Sequence, residues 1–139
     1  MKPRTKGPTP KSEQMRAVRS RGTVLEAQVV AMIRSLRKGY RLNRRTLPGK
    51  PDISFGRLKL AIFAHGCFWH GHDCAHGSRR PKTNADYWRG KIDRNRARDC
   101  LTLERLTALG WRSLVIWECE LRDPESVRAR LASALAASQ

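Results

Sequence analysis

The run Asp52–Ala64, DISFGRLKLAIFA, decides how this chain folds. Asp52 to Phe55 is short and β-like. Gly56-Arg57 reads as a hairpin turn, and Leu58 to Ala64 is the most apolar strand candidate in the chain. Upstream, Leu47-Pro48-Gly49-Lys50-Pro51 is a turn, and Tyr40 to Arg45 alternates weakly as a first strand. Leu25, Val29, Met32, Ile33 and Leu36 recur at spacings of three and four, which predicts a helix over about 24–38. Thr23 followed by Glu26 forms a T-x-x-E capping box at its start, and Lys38-Gly39 suits its end.

Downstream, a polar basic loop over about 75–84 precedes a second helix, from near Ala85 to Leu109 with a break. Its apolar stripe is expected from Leu101, Leu106 and Leu109, and Gly110 ends it. Trp111 to Trp117, with SLVIW at its centre, reads as a strand. A third helix spans about Glu125 to Ala137, with Pro124 suited to its first turn. The order helix, strand, strand, strand, helix, strand, helix describes an α/β fold: a small mixed β-sheet flanked by helices.

The chain has 139 residues, the size of one domain with a modest core. Residues 1–12 carry Pro, Gly, Lys and Thr without hydrophobic period and are expected to be a flexible basic arm, with one domain over 13–139. Lys and Arg outnumber Asp and Glu by 29 to 12, a formal charge of +17. Such self-repulsion makes most sense beside a polyanion, nucleic acid first. An anionic membrane is the rival, but the most apolar windows, LKLAIFA and SLVIW, are far short of a span. The basic start MKPRTKGPTPKSEQ has no apolar segment behind it, so a cytoplasmic, nucleoid-associated protein is expected. In that reducing setting four cysteines favour metal over disulfides. Cys100, at helical spacing with Leu103, is expected to be an ordinary semi-buried thiol.

The densest chemistry lies in His65–Cys74, HGCFWHGHDC. Cys67, His72 and Cys74 form C-x4-H-x-C, three of the four soft ligands a tetrahedral zinc needs. Cys119, after the last predicted strand, could close the site from a distance, or be a core thiol. That leaves His65 and His70, whose imidazoles titrate near neutrality and suit acid–base catalysis. Hydrogen bonding to backbone or phosphate without chemistry is the alternative. Phe68 and Trp69 point to different sides, so both cannot easily be core; on a basic protein, exposed rings stack on or wedge between bases, and core packing of one of the two is the alternative.

Phosphodiester hydrolysis at neutral pH commonly uses magnesium on oxygen ligands. Asp52, after Pro-Gly-Lys-Pro and at the head of an apolar strand, is the carboxylate placed for it. Many metal-dependent nucleases carry a further Asp/Glu-x-Lys on the next strand. Here Leu58–Gly66 has no acid, and Ala64-His65 fills the corresponding place.

The stretches PGKPDISF, LAIFAHGCFWHGHDC, YWRGKIDRNRARD and LGWRSLVIWEC, with SEQMRAVRSRGTVLE upstream, closely resemble the very short patch repair (Vsr) DNA mismatch endonucleases. The resemblance runs in order from about Ser12 to Leu121. It implies a restriction-endonuclease-like core of the PD-(D/E)xK type. By matching position, Asp52 would bind catalytic magnesium together with the backbone carbonyl of Ala64. His70 would be the general base, Asp99 the carboxylate that orients it, and His65 the partner of the scissile phosphate. Cys67, His72, Cys74 and Cys119 match structural zinc ligands. Phe68, Trp69 and Trp88 match an aromatic wedge, and Met15 a residue entering from the other groove. Lys91 and Asn95 fit positions near the mismatch, and Glu26 a family acid near the active site, though a capping box explains it equally well. The family commonly has Thr where this chain has Ala64, so a hydroxyl is lost while a backbone ligand is kept.

The implied activity is Mg-dependent nicking of one strand of duplex DNA at a T·G mismatch left by 5-methylcytosine deamination, by a monomer. Two other readings stay open. One is a zinc-stabilised DNA-binding module without catalysis; the other is a nicking nuclease of relaxed or different lesion specificity.

Overall fold

In a computed structural model, residues 24–75, 77–80 and 82–136 are described. The basic arm, Met15 and the Thr23 half of the capping box lie outside them. Helix α1 covers residues 24–36 and places Leu25, Val29 and Ile33, each four apart, into the core. Three strands follow: β1 (Arg41–Leu42), β2 (Ile53–Phe55) and β3 (Leu60–His65). Helix α2 (Ala85–Ala108) leads to β4 (Arg112–Trp117), a 3-10 turn (Glu118–Arg122) and α3 (Pro124–Ala136). The sheet order is β1-β2-β3-β4. The first two pairings are antiparallel and β3 runs parallel to β4. The expected mixed sheet with helices is therefore present.

The apolar run read as the deciding strand is buried on both faces, which explains why it lacks polar alternation. Leu60 and Ile62 pack with α1 and α3, through Leu25, Val29, Ile33, Val127 and Leu131. Ala61 and Phe63 turn the other way and pack with Leu106 of α2. Each of these leucine, isoleucine, valine and phenylalanine side chains contributes about 1.5–3 kcal/mol on burial. By the same period of two, His65 emerges on the α2 side, beside Phe63.

Three expectations for α2 are corrected. The helix is unbroken over 24 residues. Its inward stripe is Trp88, Ile92 and Leu106, while Leu101 and Leu109 are 44% and 56% exposed. The polar residues Asn95 and Asp99 occupy the same inward face midway, so the apolar period was interrupted and read off the wrong side. Cys100, one residue along, is exposed rather than semi-buried. Gly110 does end the helix: its φ is +83°. Its N–H donates to Thr107 O at 2.9 Å and that of Trp111 to Leu106 O at 2.9 Å, a Schellman closure.

Two arginines from different elements tie down the end of α3. Arg37 donates to Leu135 O at 2.9 Å and Arg112 to Ala134 O at 3.2 Å, cations where the helix dipole favours them. Among the described residues no helix is long and apolar enough to cross a membrane.

Candidate active site and metal centre

Because β2 runs antiparallel to β3, the head of β2 lies beside the end of β3. Ile53 pairs with Ile62, so Asp52 arrives next to Phe63 and Ala64. Ala64 N–H donates to Asp52 Oδ2 at 2.7 Å. The N–H and C=O of one strand residue share an edge, so the Ala64 carbonyl also points to the Asp52 side, beyond the end of β2. The two lie in a cleft of about 260 Å³ that also holds Lys50, His65, His70, Arg98 and Asp99. Burial pushes the Asp52 carboxyl up to about 6; the Glu26 carboxylate adds to this, and the Ala64 N–H and His70 oppose it. A buried oxygen donor that resists its own charge, with a second acid near it, fits a divalent cation that would relieve both.

His70 Nδ1 lies 2.6 Å from Asp99 Oδ2. A carboxylate only accepts, so Nδ1 carries the proton and Nε2 keeps a lone pair for a water. The ring of His65 stacks on that of His70, centroids 3.8 Å apart and planes within 2°. Burial, with His70 beside it, lowers His65 to about 4, so it is a neutral imidazole at physiological pH.

Behind the cleft, the Sγ atoms of Cys67, Cys74 and Cys119 and a ring nitrogen of His72 lie within 4.8 Å of one another. His72 Nδ1 is 3.7 Å from Cys67 Sγ and 3.5 Å from Cys119 Sγ. Tetrahedral bonds of about 2.3 Å to sulphur and 2.0–2.1 Å to nitrogen require S···N separations of about 3.5–3.6 Å, so the set fits a soft cation such as zinc. Burial drives the Cys67 thiol up to about 12, and Cys119 is raised for the same reason. A bound cation would reverse that by stabilising the thiolates. Backbone N–H groups already face the sulphurs: Gly77 donates to Cys74 Sγ at 3.2 Å and Cys119 to Cys67 Sγ at 3.4 Å. A Cβ on Gly77 would sit 2.2 Å from His72 O, so only glycine fits that approach.

Phe68, Trp69 and Trp88 form one small cluster, with ring centroids 5.5–5.7 Å apart. Phe68 and Trp88 are 7% and 1% exposed; Trp69 is half-buried. Lys91 Nζ stands 5.6 Å over the Trp69 ring, and Asn95 Nδ2 donates to Trp69 O at 2.9 Å.

The family model described as DNA mismatch endonuclease Vsr matches residues 5–76, more than half of the chain. The chain belongs to the Vsr family. Among its relatives, the type II nicking enzyme V.XorIIP of Xanthomonas oryzae pv. oryzae is 47% identical, over 87% of this chain and 88% of the relative. The DNA mismatch endonuclease Vsr of Escherichia coli is 38% identical, over 84% of this chain and 74% of that one. The type II nicking enzyme V.NaeI of Lentzea aerocolonigenes is 40% identical, over 79% and 68%.

In this Vsr-family chain, the residues singled out in the sequence fall into three groups in space. Asp52, Ala64, His65, His70 and Asp99 share the cleft. Cys67, His72, Cys74 and Cys119 share the thiol cluster. Lys91 and Asn95 sit against Trp69 rather than in the cleft. Glu26 is half-buried and close enough to bias Asp52. Met15 is outside the described residues. The sequence did not reveal Gly77, Trp117 or the pair Glu120 and Arg130, joined at 2.9 Å. The only sign of Gly77 was its place three residues after Cys74, where a thiolate ligand often draws a backbone N–H.

Proposed function

We propose that this chain is a DNA endonuclease that nicks one strand of duplex DNA at a T·G mismatch arising from 5-methylcytosine deamination, and so starts very short patch repair. The observation that carries this reading is the His70–Asp99 contact of 2.6 Å, opening into the cleft that holds Asp52. The core is read as restriction-endonuclease-like, working as a monomeric domain over 13–139 in the cytoplasm, with the arm over 1–12 and Met15 reaching DNA.

Asp52 and the Ala64 carbonyl would hold magnesium, which supplies Lewis acidity at the phosphate and a more acidic water. His70 Nε2 takes the proton of the attacking water. Asp99 keeps His70 in the required tautomer and balances the imidazolium that forms. The water oxygen bonds to phosphorus as the P–O bond opposite breaks. His65, neutral, is suited to hydrogen-bonding a phosphate oxygen without repelling the metal. Glu26 keeps the Asp52 carboxylate uncomfortable until the cation arrives. Cys67, His72, Cys74 and Cys119 would hold zinc, which would fasten the loop that carries His70 to the end of β4.

A wobble pair stacks poorly and deforms cheaply, so Phe68, Trp69 and Trp88 would enter there at lower cost than at a matched step. Lys91 over its ring and Asn95 at its carbonyl hold Trp69 and would follow it to the mismatch. The excess of basic residues would neutralise phosphates, making affinity fall steeply with salt.

The test is a panel of mismatched and matched duplexes, with magnesium and with chelator. Nicking confined to T·G duplexes and to magnesium is expected. Equal cleavage of matched DNA removes the mismatch assignment, and nicking in chelator removes the magnesium. Tight binding of the T·G duplex with no nicking would favour the DNA-binding module.

A further inference from the structure

We propose that Trp117 is a positioning residue that ties the metal ligand His72 to the catalytic pair His65 and His70. The inference rests on the reading of the two side-chain clusters given above. Trp117 ends β4 and faces His65 as the last pair of the parallel ladder. Its indole is the ring that all three histidines share. His72 lies flat on it, centroids 4.0 Å apart and planes within 12°. His65 meets it edge-on at 5.2 Å and 72°, and His70 at 6.2 Å and 74°.

The backbone beneath the indole is pinned. Trp117 N–H donates to Glu120 Oε1 at 2.8 Å, and Glu120 Oε2 is 2.9 Å from Arg130 Nη1. Arg130 Nη2 reaches back to Val115 O on the same strand at 3.2 Å. With the backbone held, the indole can move only by turning about its two side-chain bonds. One face is closed by His72, whose Nδ1 is turned towards the thiols. A cation bound there fixes the His72 plane, and with it the indole. The indole then limits the tilt of His65, which limits His70 through their stack. Without the cation, His72 can turn and the indole loses its stop. The metal centre thereby does more than fasten a loop: it sets the aim of the imidazoles in the cleft. A merely space-filling Trp117 would transmit nothing.

The experiment uses the full chain, as wild type, Trp117→Phe and Trp117→Leu. Its four histidines allow the ring carbons to be resolved by NMR. Zinc is exchanged for cadmium, whose longer bonds to sulphur displace His72. The expected result is a His72 shift in every variant. A His65 shift should appear in wild type and Trp117→Phe and vanish in Trp117→Leu. Single-turnover nicking should fall at least tenfold in Trp117→Leu and recover partly in Trp117→Phe, with the duplex Kd within twofold throughout. A His65 shift that persists in Trp117→Leu, or never occurs in wild type, overturns the coupling. So does a wild-type nicking rate in Trp117→Leu. Should the leucine variant fail to fold, Trp117→Phe decides alone. A reduced His65 shift with a matching loss of rate supports the coupling; an unchanged shift and rate overturn it. A wild type that shows the shift but nicks no mismatched duplex removes the proposed substrate and leaves the coupling standing. Nicking without the shift removes the coupling alone.

Discussion

Two clusters in this molecule look alike by distance and differ in every way that matters to a metal. The Cys67, His72, Cys74, Cys119 set and the His65, His70, Asp99 set each bring their donor atoms within 4.8 Å. In the first, His72 Nδ1 stands 3.7 Å and 3.5 Å from the sulphurs of Cys67 and Cys119, close to what a shared tetrahedral ion needs. In the second, two imidazoles are stacked with planes 2° apart. An imidazole binds a metal in its own plane, and one ion cannot lie in two parallel planes separated by a ring thickness. The second set therefore cannot chelate as it stands; its nitrogens are left for protons and phosphate. Convergence alone does not make a metal site. The direction of the lone pairs decides.

The sharpest way to break this contrast is to attack the first cluster. Stripping zinc, or changing Cys67→Ser, is expected to abolish the cooperative thermal transition, since structural zinc binding carries about 10–16 kcal/mol in small zinc modules. A calorimetric scan with and without a strong chelator checks it. An unchanged transition would demote the thiols to packing.

The same test on the second cluster should separate chemistry from fold. His70→Ala is expected to lower single-turnover nicking by about 10²–10⁴-fold, with zinc content and melting temperature unchanged. Parallel loss of zinc would show that the two clusters cannot be treated apart.

Asp52 offers a smaller effect of opposite sign on stability. The folded chain holds this proton to about 6, against 3.8 ordinarily. Ionised Asp52 therefore costs the fold about 3 kcal/mol. The cost is full above about pH 6 and disappears as the pH falls to about 4, where both states are protonated. Asp52→Asn should abolish nicking yet raise the melting temperature by several degrees at pH 8 in magnesium-free buffer. That gain should shrink between pH 6 and pH 5. A melting temperature that falls at pH 8 would contradict the burial argument.

The smallest effect belongs to the fourth thiol. Cys100→Ser should change stability by less than about 0.5 kcal/mol and leave nicking alone, because Cys100 is exposed on α2. Thiol titration of the zinc-loaded chain should find this cysteine reactive and the other three protected.

What could be read from the sequence follows the same division. Strands with unbroken apolar character, such as Leu60–Phe63, and stops with a single steric cause, such as Gly110, are local and were legible. The clustering of Cys67, His72, Cys74 and Cys119 was legible because cysteine and histidine are rare and chemically specific. The inward stripe of α2 was not, because Asn95 and Asp99 sit in it as polar residues and broke the pattern used to find it. Gly77 and Trp117 were not legible either. Gly77 acts through a close backbone approach to His72 within its own loop, and Trp117 through a ring shared by three histidines across the fold. Trp117 leaves no mark on its neighbours in sequence, and Gly77 only its place three residues after Cys74.

The packing of Phe68 and Trp88 against each other has a consequence for searching DNA. These rings are sheathed, not displayed: each must leave an apolar seat before it can enter a duplex. Leaving that seat is compensated only where the helix yields a gap of similar greasiness. On the function proposed above, the blade would stay in its scabbard on sound DNA, and the protein would scan long stretches by charge alone and commit only where the double helix is already weak.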